Sequence, residues 1–161
     1  MRIVALIILL CSSTISFSQK CNCCDSIHSQ FDFWIGEWEV FDTSGTLVGH
    51  NIIKATTGHC VLQENWTGAK GFVGTSYNYF DPADNKWHQR WIDASGNVLN
   101  LEGGLKGNEM VLQSGPDAPS INRITWTPNE DGSVRQHWQV SKDRGKSWST
   151  LFDGEYRSPS K

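Results

Sequence analysis

The chain has 161 residues, a net charge of −3 and eight tryptophans. That length fits a single domain. Lysine and arginine are scattered and form no basic stripe to follow a phosphate backbone, which argues against nucleic acid as a partner.

The first residues read as an export signal. Arg2 supplies a positive start, and Ile3 to Leu10 form an apolar run too short to span a bilayer as a permanent helix. Ser16-Phe17-Ser18 then places small residues where a signal peptidase inspects the chain. Residues 1–18 are therefore expected to be removed, leaving a periplasmic or secreted protein with no membrane-spanning segment. The competing reading is a lipoprotein anchored through Cys11. That needs a small residue before the cysteine, and Leu10 stands there.

Residues 19–30 form a cysteine-containing leader with Cys21, Cys23 and Cys24, and Cys60 follows later. An even count in an oxidising compartment favours disulfides, with Cys60 expected to pair with one of Cys21, Cys23 and Cys24. The rival is a metal site in which thiolates join His28 or His59. It lacks zinc-finger spacing, so no metal site is expected.

The main domain is expected over residues 31–158. It opens on Phe31-Asp32-Phe33-Trp34-Ile35-Gly36-Glu37-Trp38, an aromatic plug followed by a glycine and a strand. The only helical candidate is the short piece from Asp25 to Phe33. Beyond it, turn signals such as Asp42-Thr43-Ser44-Gly45, Asp93-Ala94-Ser95-Gly96-Asn97 and Asp143-Arg144-Gly145 recur at short intervals. Between them lie about ten runs rich in Val, Ile, Thr, Trp and Tyr, near 36–42, 46–54, 60–67, 71–80, 86–93, 97–103, 107–114, 121–128, 133–141 and 148–157. This pattern predicts an all-β, antiparallel, up-and-down barrel of about ten strands, which hides its edges by closing.

Alternation along the runs assigns faces. Trp87, Gln89 and Trp91 share one face, while His88 and Arg90 take the other. Val134, Gln136, Trp138 and Val140 share a face opposite Arg135, His137 and Gln139. Cys60, Leu62, Glu64 and Trp66 run together, as do Ser76, Asn78 and Phe80. Each inward face thus carries an aromatic or other apolar group and one polar residue. A barrel filled for stability alone prefers aliphatics, because an unpaired buried polar group costs a few kcal/mol. Glu64, Asn78, Gln89 and Gln136 among Trp38, Trp66, Trp87, Trp91 and Trp138 therefore suggest a lined cavity, wide enough in a ten-stranded barrel for a small molecule. The alternative is a solid core in which these groups satisfy one another.

Arg123 is the open case. Pointing inward, it would pair with Glu64 or bind an anionic ligand group; pointing outward, it is a solvated charge. Ser141-Lys142-Asp143-Arg144-Gly145-Lys146-Ser147-Trp148 resembles the Asp-box, a hairpin turn in which Asp143 and Trp148 would act as structural staples.

Together, the plug, Glu64-Asn65-Trp66, Trp87-His88-Gln89-Arg90-Trp91-Ile92-Asp93 and Val134-Arg135-Gln136-His137-Trp138 resemble a family of exported bacterial lipocalin-like proteins of unknown function. The resemblance covers nearly all the chain after the signal and implies a calycin-type barrel, with Gly36-Glu37-Trp38 as a version of the first-strand lipocalin signature. It brings no established activity. A more distant likeness is to nitrobindin, a ten-stranded haem barrel. The glycine-rich run after the first tryptophan is absent here, and His88 and His137 face away from the interior, so no cofactor is expected.

The sequence therefore predicts a barrel that binds a small, partly apolar ligand. Two alternatives stand beside it: an enzyme using Glu64 as general acid or base with Arg123 stabilising negative charge, and a structural module of the cell envelope.

Overall fold

The computed structural model describes residues 21–159. The expected export signal, Cys11 included, lies outside the described residues. Ten antiparallel strands run β1 (Gly36–Asp42), β2 (Leu47–Thr56), β3 (Val61–Gly68), β4 (Val73–Asp81), β5 (Lys86–Asp93), β6 (Val98–Lys106), β7 (Glu109–Gln113), β8 (Ile121–Pro128), β9 (Val134–Ser141) and β10 (Ser149–Arg157). Each strand pairs with its neighbours in sequence, and β1 also pairs with β10, which closes the barrel. Among the described residues no helix is long and apolar enough to cross a membrane.

The turns follow from short polar side chains. Asp42 accepts the backbone N–H groups of Ser44 and Thr46 at 2.9 and 3.0 Å. Asp93 repeats the arrangement with Ser95 and Asn97 at 2.8 and 3.0 Å. Each turn is completed by a glycine in the left-handed region, Gly45 at φ 82° and Gly96 at φ 81°, where a side chain would be strained. The Asp-box segment works similarly. Asp143 accepts the Ser147 backbone N–H at 2.8 Å and the Ser141 hydroxyl at 2.8 Å. These bonds hold its carboxyl down at about 2, led by the Ser147 hydroxyl.

One end of the barrel is corked. The expected helical piece is a 3-10 helix over His28–Trp34. In a 3-10 helix, side chains three apart eclipse. Phe31 and Trp34 therefore project together, and both are fully buried. The Phe31 ring stacks on Trp34 at 5.0 Å and meets the edges of Trp126 and Trp87 at 5.1 and 5.8 Å. Trp38 donates its indole N–H to the Trp34 carbonyl at 3.0 Å, which fixes the helix to the start of β1.

The leader is tied down beside the cork. Cys23 is bonded to Cys60, and Cys21 to Cys24. His59, in the β2–β3 turn, contacts the Asp32 carboxyl at 2.9 Å. The corked end is filled with packed aromatic and aliphatic side chains. The hairpins β1–β2, β3–β4, β5–β6, β7–β8 and β9–β10 all turn at the opposite end.

Candidate functional site

At that opposite end the barrel encloses a cavity of about 280 Å³. Its walls are Trp66 from β3, Trp91 from β5, Leu99 from β6, Ile124 from β8, Trp138 from β9 and Phe152 from β10. Phe72 and Leu151 stand at the rim and are 46% and 55% exposed, so the cavity opens to solvent there.

Glycines create the room for the aromatic walls. A Cβ on Gly49 would lie 2.6 Å from the Trp66 ring, and one on Gly74 would lie 2.2 Å from the Trp91 ring. A Cβ on Gly154 would lie 2.5 Å from the Phe152 ring. Each ring therefore packs closely against bare backbone and lines the cavity, with Trp66 and Phe152 meeting edge to face. The indole N–H groups of Trp138 and Trp126 are held, by Asn122 at 2.9 Å and by Gln136 at 3.2 Å.

The floor is polar. Glu64 accepts a bond from Asn51 Nδ2 at 2.7 Å on one oxygen and from the Ser76 hydroxyl at 2.5 Å on the other. Ser76 in turn accepts from Asn78 at 2.9 Å and Gln89 at 3.4 Å. Across the barrel, Tyr156 donates its hydroxyl to Gln136 Oε1 and accepts a bond from Asn51 Nδ2 at 3.3 Å. Among the described residues the buried acceptors Asn51 Oδ1 and Asn78 Oδ1 have no donor, and the Trp34 indole N–H, in the cork, has no acceptor. Gln136 Oε1 already serves Tyr156 and Trp126, while its NH₂ makes no bond to protein among the described residues.

Burial governs the electrostatics. Desolvation pushes the Glu64 carboxyl above its ordinary value, against the opposing bonds from Ser76 and Asn51. Tyr156 is pushed well above the ordinary phenol value, first by desolvation and then by the nearby Glu64 charge. Glu64 is the sole ionisable carboxyl on the cavity lining, and among the described residues no lysine, arginine or histidine lines it. The chemistry on offer is one carboxyl able to hold or release a proton, amide donors and acceptors, and π faces.

Six of the sequence candidates meet here: Glu64, Trp66, Gln89, Trp91, Gln136 and Trp138. Four lie elsewhere. Asn78 is inside but one layer lower, where it bonds Ser76 and the Leu62 carbonyl. Trp38 and Trp87 also face inward, at the corked level, where the plug fills the space around them. Alternation assigns a side chain to the inside but not to a height within the barrel. Arg123 corrects the inward alternative. Its neighbour Ile124 takes the interior, and Arg123 lies on the outer wall. There it donates to Gln139 at 2.9 Å and stacks 3.9 Å over the Trp148 ring.

Sequence reasoning missed Asn51, Tyr156 and Phe152. In Asn51-Ile52-Ile53 the adjacent isoleucines obscure the alternation, since Ile53 is buried and Ile52 exposed. Tyr156 sits between charged Glu155 and Arg157, which is a half-buried strand signal, but a lone tyrosine does not announce its partner.

No described histidine lines the cavity. His28 packs on Phe80, His59 bonds Asp32, His88 bonds Asp84, His137 meets Thr150, and His50 is exposed. The lining therefore offers haem no axial imidazole. Asp81, Asp84 and His88 lie close together on the outer wall. Asp84 there already accepts from the His88 ring at 3.0 Å and the Lys86 backbone N–H at 3.1 Å. The outward groups Arg135 and His137 are likewise paired, Arg135 through two bonds to Asp153 at 2.8 and 2.7 Å.

The architecture is a closed ten-stranded antiparallel barrel compatible with a calycin-like fold. No protein-family model and no curated protein matches the chain.

Proposed function

We propose that the protein is an exported, calycin-type carrier that holds a small, partly apolar molecule in the cavity between Trp66, Trp91, Trp138 and Phe152. The carrying observation is the pairing of an open aromatic chamber with a polar floor that is not fully satisfied. A barrel selected for rigidity alone would fill this space. Here the rings pack on glycines and leave about 280 Å³, just below the usual range for ligand pockets (roughly 300–1,000 Å³) and so suited to a small molecule. On that floor the Gln136 NH₂ makes no bond to protein among the described residues and is free to meet a ligand. Removal of residues 1–18 as an export signal, and the resemblance to exported lipocalin-like proteins, belong to this reading. The two disulfides fit an oxidising compartment.

Native mass spectrometry of protein purified from its own source, with an absorption spectrum of the same sample, tests the reading. A small bound mass that leaves on denaturation is the expected result. A mass equal to the bare chain, with no saturable binding of any compound in a fragment set, would overturn it.

The burial of Glu64 favours a second reading, an enzyme that moves a proton in the same chamber. Arg123 takes no part, since it lies outside. Turnover lost in Glu64→Gln with binding retained would favour this reading over a carrier.

A further inference from the structure

We propose that the cavity's ligand is a compact organic cation, an alkylammonium or protonated amine, with Glu64 as its counter-charge and Trp66, Trp91 and Trp138 as its aromatic cage. This rests on the carrier reading above and names its ligand class.

The first observation is the imbalance of charge. Glu64 is 4% exposed and lines the cavity, yet among the described residues no cationic side chain faces it. Its hydrogen-bond partners, Asn51 on β2 and Ser76 on β4, are neutral. From β5 and β9 the cavity receives the neutral amides of Gln89 and Gln136, and from β10 the phenol of Tyr156. Among the described residues Tyr156 is therefore the sole other titratable group facing it, and burial pushes its phenol well above the ordinary value. The arginines flanking the lining residues point out: Arg90, between Gln89 and Trp91, is exposed, Arg123 lies over Trp148, and Arg135 is paired with Asp153. A buried carboxylate without a partner is costly, and proteins normally supply one. Here the space beside it is open, so a bound cation completes the pair.

The second observation is the wall chemistry. An aromatic face carries the negative end of the ring quadrupole and attracts cations, most strongly in tryptophan. Three indoles and Phe152 surround the space above the carboxyl. Gly49 and Gly74 leave no side chain between the strand backbone and the Trp66 and Trp91 rings, so both indoles reach the cavity wall. An anionic ligand would meet Glu64 and these π faces with no positive group to receive it. A neutral apolar ligand would leave the carboxyl unpaired.

Two consequences separate this from a generic apolar pocket. A permanently charged ammonium needs Glu64 ionised, so protons compete with it. Below the carboxyl's raised value, affinity should fall about tenfold per pH unit, and above it affinity should level off. A neutral isostere should show no such dependence.

Isothermal titration of the full exported protein with choline, tetramethylammonium and phenyltrimethylammonium, against the neutral isosteres 3,3-dimethylbutanol and tert-butylbenzene, tests the proposal. Above the carboxyl's raised value, where affinity has levelled off, at least one ammonium should bind ten or more times more tightly than its isostere. Glu64→Gln should abolish that preference while the isostere still binds. Trp91→Leu should weaken the ammonium more than the isostere. If Glu64→Gln fails to fold, the pH profile of the unmutated protein decides the same point. Isosteres that bind as tightly as the cations, at every pH, would overturn the cation proposal and leave the carrier reading standing. If no probe of either kind binds, both fall.

Discussion

Gly74→Ala is the substitution whose consequence the barrel wall fixes most closely. Gly74 lies in β4, opposite Trp66 of β3 and Asp93 of β5, with a backbone outside the left-handed region. Alanine is therefore conformationally acceptable there. A methyl group at this position would sit 2.2 Å from Trp91 Cζ2 and 2.4 Å from Cη2. Carbon atoms in contact prefer about 3.5–4.0 Å, so the ring must retreat by about 1.3–1.8 Å. The space behind it is the cavity. Overpacking of this kind costs about 1–3 kcal/mol, and the loss of glycine's freedom in the unfolded chain returns about 0.4–1 kcal/mol. The net expectation is a destabilisation of up to about 2.5 kcal/mol, centred near about 1.3 kcal/mol, or a Tm lowered by roughly 3–10 °C for a domain of this size. Ligand affinity should fall as the chamber narrows. Gly104→Ala is the internal control. A Cβ there meets nothing within 4 Å, so the same change should be neutral or stabilising by about 0.4–1 kcal/mol. Urea unfolding and tryptophan emission of both variants provide the assay. Equal stabilities and unchanged emission in Gly74→Ala would refute the claim that Trp91 is seated on bare backbone.

Other perturbations probe the floor, the leader and the outer wall. A carboxyl raised by folding supports stability fully below its unfolded value of about 4.5 and loses that support as pH rises through its folded value. Glu64→Gln should therefore gain on the unmutated protein in urea midpoint as pH climbs from 4 towards 8, and parallel curves would sink this. Asp143, held at about 2, acts in the opposite sense, its contribution being lost only as pH falls below the ordinary carboxyl range. Replacing both Cys23 and Cys60 by serine opens a link of sequence separation 37, worth roughly 4 kcal/mol by loop entropy, whereas the Cys21–Cys24 pair, at separation 3, should cost about 1.5 kcal/mol. Calorimetry of the two double variants checks that order. Arg123→Ala should leave ligand affinity unchanged and cost at most about 1 kcal/mol of stability, because its stacking on Trp148 is on the outer surface.

Much of the barrel is written in local pattern. The Asp-Thr-Ser-Gly and Asp-Ala-Ser-Gly turns place hairpins at Asp42 and Asp93 because aspartate captures backbone N–H groups and glycine takes the left-handed position. Alternation puts Glu64, Gln89 and Gln136 inside because a strand has only two faces. It fails at height. Trp87 and Trp91 share a face, yet Trp87 is packed under Phe31 while Trp91 walls the chamber. What separates them is how deeply the plug reaches, a tertiary fact. The role of Gly49 and Gly74 is equally invisible in sequence, since each serves a ring on another strand. Asn51 and Tyr156 meet at the floor across 105 positions of chain, a distance no local pattern encodes.

The eight tryptophans allow the central claim to be tested residue by residue. In a proton–nitrogen correlation spectrum each indole N–H gives its own signal. Trp66 and Trp91 make no indole bond to protein among the described residues, whereas Trp38, Trp87 and Trp148 are bonded away from the chamber's open space. Titration with a set of small aromatic, aliphatic and ammonium compounds should shift Trp66, Trp91 and Trp138 saturably and leave Trp34, Trp87 and Trp148 in place. Saturable shifts confined to the plug or to Trp148, or no saturable shift from any compound, would contradict a ligand-binding chamber at the open end of this barrel.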